Sequence, residues 1–206
     1  MAQITTQRHL RAVRELPFCY VCDRDFLPGD ATNHDHVPPQ TCFDKADRNP
    51  PLKLKTHVNC NGSNNHNDEK VGELIASQRN QKFEGKRLNV QVFHDTESGQ
   101  YFAAFDNLDV EGAVRRWVSG FHASLYLQPL RKEVPFNVST PLPSGKISAT
   151  GIRAKPIRQQ DLVFVETLKL NRAANNLDVA STNAGKLRYE CVWAPSVVYN
   201  PNFEAL

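Results

Sequence analysis

Two short knuckles frame the chemistry this chain could do. Cys19 and Cys22 stand two residues apart in FCYVC, and His57 and Cys60 stand two residues apart in THVNC. Each knuckle offers two donors at the spacing a tetrahedral zinc takes, with the 34 residues between the pairs held as a loop. Inside that loop lies NHDHVPPQT, Asn33 to Thr41, where His34 and His36 flank Asp35. Asp35 is a hard carboxylate, and Asn61, directly after the second knuckle, carries an amide oxygen; both suit Mg²⁺, which binds oxygen donors and keeps several waters. His36, as a neutral imidazole with an ordinary pKa of about 6.5, can take a proton from a water beside such an ion. The residues therefore suggest a structural zinc and, separately, a catalytic divalent cation.

Other assignments compete at several positions. Cys19 and Cys22 have the spacing of a redox dithiol, although they open no βαβ unit. Cys42 could replace His57 as the fourth zinc donor, but it has no neighbouring ligand at knuckle spacing. In NGSNNHN, Asn64, Asn65 and His66 rival Asn61 for the cation, with Asn61 preferred and His66 next. His34 shares side-chain direction with His36 if the segment is extended. It is read either as a phosphate contact or as a solvent-exposed side chain. Lys45, Arg48, Lys53, Lys55 and Lys70 are candidate phosphate contacts or solvated charges, diluted by Asp44, Asp47, Asp68 and Glu69.

The elements that must position these groups are only partly regular. Leu10, Val13 and Leu16 predict a short helix over 4–15, ended by Pro17. From Asp23 to Thr56 the chain is poor in large apolar residues and rich in Asp, Asn, Pro and Gly, so it cannot offset its ordering entropy unless a metal pins it. Val71, Leu74 and Ile75 predict a helix over 63–78. Leu88, Val90 and Val92, the turn DTESG and Tyr101 to Phe105 predict a β-hairpin. Val114, Trp117, Val118, Phe121 and Leu125 predict a core helix over 111–127, with His122 a structural histidine. Residues 138–151 read as loop or linker. DLVFVETLKL and KLRYECVWA read as strands, with Cys191 a core residue. The fold class expected is α+β: a zinc-stapled module with its leading helix over 1–80, then a small mixed α+β domain of undefined role over 81–206.

Composition narrows the partners. The 25 basic against 22 acidic residues give +3, and 13 basic against 11 acidic residues precede residue 91. A charge this even argues against wrapping long duplex by bulk electrostatics and favours brief, salt-sensitive contact through a local patch. No run approaches the ~20 apolar residues of a membrane span, and the basic, amphipathic start is unlike a secretion signal. Five cysteines, three of them near histidines, favour metal over disulfides in a reducing, cytoplasmic setting.

The order CYVC, HDHVPP, HVNCN, NDEK resembles the zinc-stapled branch of the HNH endonuclease family, in its DHVPP-type variant, over about residues 15 to 75. The resemblance implies a ββα-metal module with Asp35 and His36 as the DH pair, His36 as general base and Asn61 as the terminal H/N residue. It implies zinc on Cys19, Cys22, His57 and Cys60, one family cysteine being replaced by histidine. Mg²⁺ or Mn²⁺ is implied on Asp35 and Asn61, and His34, His66, Lys53 and Lys55 are candidate substrate contacts. The family's middle asparagine position holds Leu52, with Asn49 three residues earlier. The activity implied is that of an endonuclease or nickase acting on DNA, RNA not being excluded, of phage, mobile-element or defence origin. The alternative is a non-catalytic zinc-stabilised module that binds nucleic acid or protein. Oligomeric state is left open between a homodimer and a complex with a partner protein.

Overall fold

The computed structural model describes residues 3–78, 90–97, 99–105, 107–130, 177–185 and 187–191. Over these the chain is mixed α+β, built from small sheets. In chain order it forms β1 (Gln3–Ile4), α1 (Gln7–Ala12), β2 (Thr32–Val37), β3 (Leu52–His57), α2 (Val58–Gly62), α3 (Asn65–Gln78), β4 (Val90–Asp95), β5 (Gln100–Phe105), α4 (Val110–Tyr126), β6 (Asp178–Thr182) and β7 (Leu187–Cys191). β2 and β3 form one antiparallel pair and β4 and β5 another; β6 joins β1 in parallel and β7 antiparallel. Short 3₁₀ turns over Gln40–Cys42 and Lys45–Asp47 carry the chain from β2 to β3. The predicted linker over 138–151 and the predicted strand DLVFVETLKL lie outside the described residues, as do Leu88, Trp193 and the side chain of Cys191.

Alternation dictates how the β2–β3 pair sits. In β3, Leu52, Leu54 and Thr56 are fully buried, while Lys53, Lys55 and His57 face the other way. In β2, Asp35 and Val37 share the buried face and His34 and His36 the outer one. Leu52, Leu54 and Val37 join Leu10, Val13, Leu16, Phe18 and Tyr20 from the N-terminal stretch, Phe121, Ala123 and Leu125 of α4, and Ala180 of β6 in one apolar cluster. The segment that composition alone could not order is thus covered on one face by residues from both ends of the chain.

The first helix begins three residues later than its apolar spacing predicts. The Thr6 hydroxyl accepts from the His9 amide at 3.3 Å and caps it, and β-branched Ile4 is drawn into β1 against Ala180. α4 matches its predicted span to one residue, but only part of its predicted face is buried. Ala113, Arg116, Gly120, Phe121, Ala123, Ser124 and Leu125 are buried, and Val114, Trp117 and Val118 are only half-buried. Small residues let this helix approach β2 closely. A Cβ at Gly120 would stand 2.8 Å from Val37 Cγ1 and 3.3 Å from Tyr20 Cε2. Gly120→Ala is therefore expected to overpack the seam and destabilise the protein by about 1–3 kcal/mol in urea unfolding; an unchanged midpoint would mean that α4 slides freely on β2. Among the described residues, no helix is long and apolar enough to cross a membrane.

Candidate metal centre and cleft

The first knuckle is a tight loop. The Cys19 amide donates to Arg24 O at 2.8 Å, the Asp23 amide to Cys19 O at 2.8 Å, and Asp23 takes a left-handed φ of 64°. The second knuckle starts where β3 ends, at His57, and Cys60 follows on the single turn of α2. Pairing of Thr32 with His57, and donation of the Val58 amide to Ala31 O at 2.9 Å, fasten the second knuckle to the start of β2.

The ligand atoms of Cys19, Cys22, His57 and Cys60 all lie within 4.8 Å of one another. Donors about 2.3 Å from a tetrahedral zinc stand roughly 3.8 Å apart, so a small contraction would complete the site. The thiols' proton affinities fit the same conclusion. Burial pushes the Cys22 thiol up, but hydrogen bonds from Arg24, Cys19 and Cys60 outweigh it and bring the group down to about 6. Burial and the neighbouring Cys19 and Cys22 push Cys60 up to about 12. Three thiols so close cannot all ionise beside one another until a cation neutralises them, and a closed Cys₃His set is a structural zinc arrangement. Cys42 is buried in its own 3₁₀ turn outside this cluster.

His57 carries a support that its sequence position did not announce. Its Nδ1 lies 3.5 Å from Cys22 Sγ, while Nε2 lies 3.2 Å from Asp30 Oδ2. A carboxylate on the far nitrogen fixes the tautomer that would present Nδ1 to a metal. Asp30 is itself set by the Leu27 amide, which donates to it at 2.8 Å. Asp30→Asn is expected to weaken zinc binding about tenfold, as read by chelator competition, with the fold intact in excess zinc. Equal competition curves would remove Asp30 from that role.

A cleft of about 250 Å³ opens beside this centre, lined among others by His34, Asp35, His36, Asn61, Asn65 and Asp68. Of the four rivals after the second knuckle, Asn61 and Asn65 reach it. Asn64 turns back to donate to Cys60 O at 2.9 Å, and exposed His66 is not among the lining residues. His36 Nε2 is buried and makes no hydrogen bond to the protein. Burial first, then the charges of Lys53, Arg14 and His34, bring its imidazole down to about 4, so it is neutral across the ordinary range. His34 is held between Glu15, with Nε2 2.7 Å from Oε1, and Arg14, whose Nη2 lies 3.5 Å from Nδ1. Register sets Lys55 opposite His34 and Lys53 opposite His36, so the outer face of the hairpin is a short cationic stripe. Lys70 does not belong to it. Grouped by sequence with the surface cations, Lys70 is buried on α3 and donates to Asn107 O at 3.2 Å.

Asp35 sits on the inner face with partners that sequence reasoning missed. Tyr20 donates its hydroxyl to Asp35 Oδ2 at 2.5 Å, and Arg116 Nη1 of α4 lies 3.7 Å from the same oxygen. The other arm of Arg116 binds Asp68 Oδ2 on α3. Burial raises the Asp35 carboxyl above its ordinary range, opposed by the Arg116 charge and the Tyr20 hydroxyl. Asp68 is shifted the same way by burial, again against Arg116. Leu52, at the family's middle asparagine position, is fully buried, and Asn49 is exposed.

No family model, curated protein or solved structure matches the chain.

Proposed function

We propose that this protein is a metal-dependent endonuclease or nickase that hydrolyses phosphodiester bonds, with DNA as its substrate, built as a zinc-stapled ββα-metal module of the HNH kind. The observation that carries the reading is the shared cleft: a carboxylate, an unpartnered neutral imidazole and an amide line one opening, beside a cationic strand face. His36 Nε2 takes the proton of the attacking water, and its depressed pKa keeps it unprotonated for that task. Mg²⁺ or Mn²⁺ on Asp35 and Asn61 would supply the positive charge that the phosphorane and the leaving 3′ oxygen require. His34, Lys53 and Lys55 hold the substrate backbone along the outer face, where contacts to phosphate fix position without reading sequence. Zinc on the two knuckles takes no part in the chemistry; it holds β2, α2 and their loops in place.

A second reading has one observation in its favour. Asp35 is mostly buried and already engaged by Tyr20 and Arg116, as it would be in a zinc-stabilised binding module without cleavage. The experiment that separates the two is incubation of the zinc-loaded protein with supercoiled plasmid, labelled single strands and RNA, in Mg²⁺ and in Mn²⁺. Products with 5′-phosphate and 3′-hydroxyl ends, abolished by removal of the divalent cation, support the enzyme. Binding without products in either cation supports the module instead.

A further inference from the structure

Arg116 lies far along the chain from the knuckles, yet it enters the candidate centre. It sits on α4, which the Asp109 side chain caps by accepting from the Gly112 amide at 2.8 Å. Two further contacts seat the start of this helix on α3: Asn67 Nδ2 donates to Asp109 O at 2.8 Å, and the Asp109 amide donates to Asn67 Oδ1 at 3.0 Å. From there the guanidinium reaches inward, 7 % exposed, between Asp68 and Asp35. Tyr20, 2 % exposed and lying inside the first knuckle, also reaches Asp35. Both contacts on Asp35 fall on the same oxygen, Oδ2.

We infer that Tyr20 and Arg116 are positioning residues that clamp Asp35 Oδ2, so that the carboxylate offers its other oxygen to a divalent cation in the cleft, with Asp68 as the counter-charge that keeps Arg116 in place. This rests on the nuclease reading given above. Its physical basis is that a carboxylate serving a hard cation must be both ionised and fixed in direction. A buried carboxylate is neither unless a cation and a donor hold it. Arg116 supplies the charge and Tyr20 the direction, and a planar guanidinium can engage two carboxylates at once, which an ammonium does less well. Two consequences follow. The first knuckle orders Asp35 as well as zinc, because Tyr20 is carried between its two cysteines. The helix after residue 109 becomes a necessary part of the centre, and a chain cut before α4 would keep its zinc donors but lose the clamp.

The test measures Mn²⁺ binding to the zinc-loaded, full-length protein by electron paramagnetic resonance, without nucleic acid, together with plasmid nicking. Tyr20→Phe keeps the buried ring and removes only the hydroxyl. Arg116→Gln removes the charge, and Arg116→Lys restores it without the fork. Tyr20→Phe and Arg116→Gln are each expected to weaken Mn²⁺ binding about tenfold, with zinc content and circular dichroism unchanged and Arg116→Lys intermediate. A merely structural role would leave Mn²⁺ affinity alone. If Arg116→Gln does not fold, Tyr20→Phe decides the matter. Uptake by the natural protein that persists undiminished in the folded variants overturns this inference and leaves the nuclease reading standing. A natural protein that takes up no Mn²⁺ and cuts nothing overturns both.

Discussion

Cys22→Ser is expected to leave the chain with neither its zinc nor its fold. The argument is one of magnitude. A closed zinc site of this kind contributes on the order of 10 kcal/mol or more to folding, and whole domains are stable by only about 5–15 kcal/mol. Here the metal acts where the chain has least of its own. The loop from Cys19 to Ala31 is mostly exposed or half-buried, and Leu27 is 67 % exposed, so little apolar burial would replace the lost ligation. Removing one thiolate also leaves the other three donors in a pocket arranged for a full set. His57→Ala should behave alike, with the added loss of the Asp30 contact and of the Phe26 ring packed 4.9 Å from the imidazole. Metal content by atomic emission and folding by circular dichroism are the measurements. Cys42→Ser, outside the cluster, serves as the control and should keep full zinc. If Cys22→Ser and His57→Ala retain zinc equal to the natural protein, the four-residue ligand set is wrong.

How much of this was legible in the residues depends on the range of each interaction. The Cys19, Cys22, His57, Cys60 cluster was, because two knuckles at metal-ligand spacing are a local signal. The β4–β5 hairpin and α4 were as well, since period 2 and period 3.6 are carried by near neighbours. The 23–56 stretch, read as too poor in apolar residues to order unless a metal pins it, places Val37, Leu52 and Leu54 in the core cluster. What escaped was whatever depended on side chains meeting across distant segments. Of the face predicted for α4, Phe121 and Leu125 are buried but Val114, Trp117 and Val118 only half so, and the close approach to β2 is made at Gly120, which hydrophobicity does not mark. Nothing in the local sequence singles out Arg116; the positions of Asp35 and Asp68 in space account for its burial. Tyr20 carries no local signal of its contact with Asp35. Asp68 looked like an acid that dilutes a basic patch, and Lys70 like part of that patch. Asp68 meets Arg116 of α4 and Lys70 meets Asn107 before it, contacts that no local pattern encodes.

His36→Ala should lower the cleavage rate about 10²- to 10⁴-fold, the range a positioned general base contributes, while leaving zinc content and fold unchanged. The fold should tolerate it because His36 lies on the outer face of β2, opposite the core face that carries Asp35 and Val37. The pH profile gives a sharper check. A base works only when unprotonated, and burial, followed by the charges of Lys53, Arg14 and His34, holds this imidazole down to about 4. The cleavage rate should therefore stay level as pH falls through 6.5, where an ordinary histidine would already be gaining its proton, and drop only on approach to 4. Zinc loss in acid would imitate that drop, so metal content must be followed at each pH. Lys53 offers a way to separate the two effects. It faces His36 across the strands, and Lys53→Gln removes a charge that disfavours the imidazolium. The acid limb should then move to higher pH while zinc release stays where it was. A limb that does not move, or activity that survives His36→Ala, would mean that another group takes the proton.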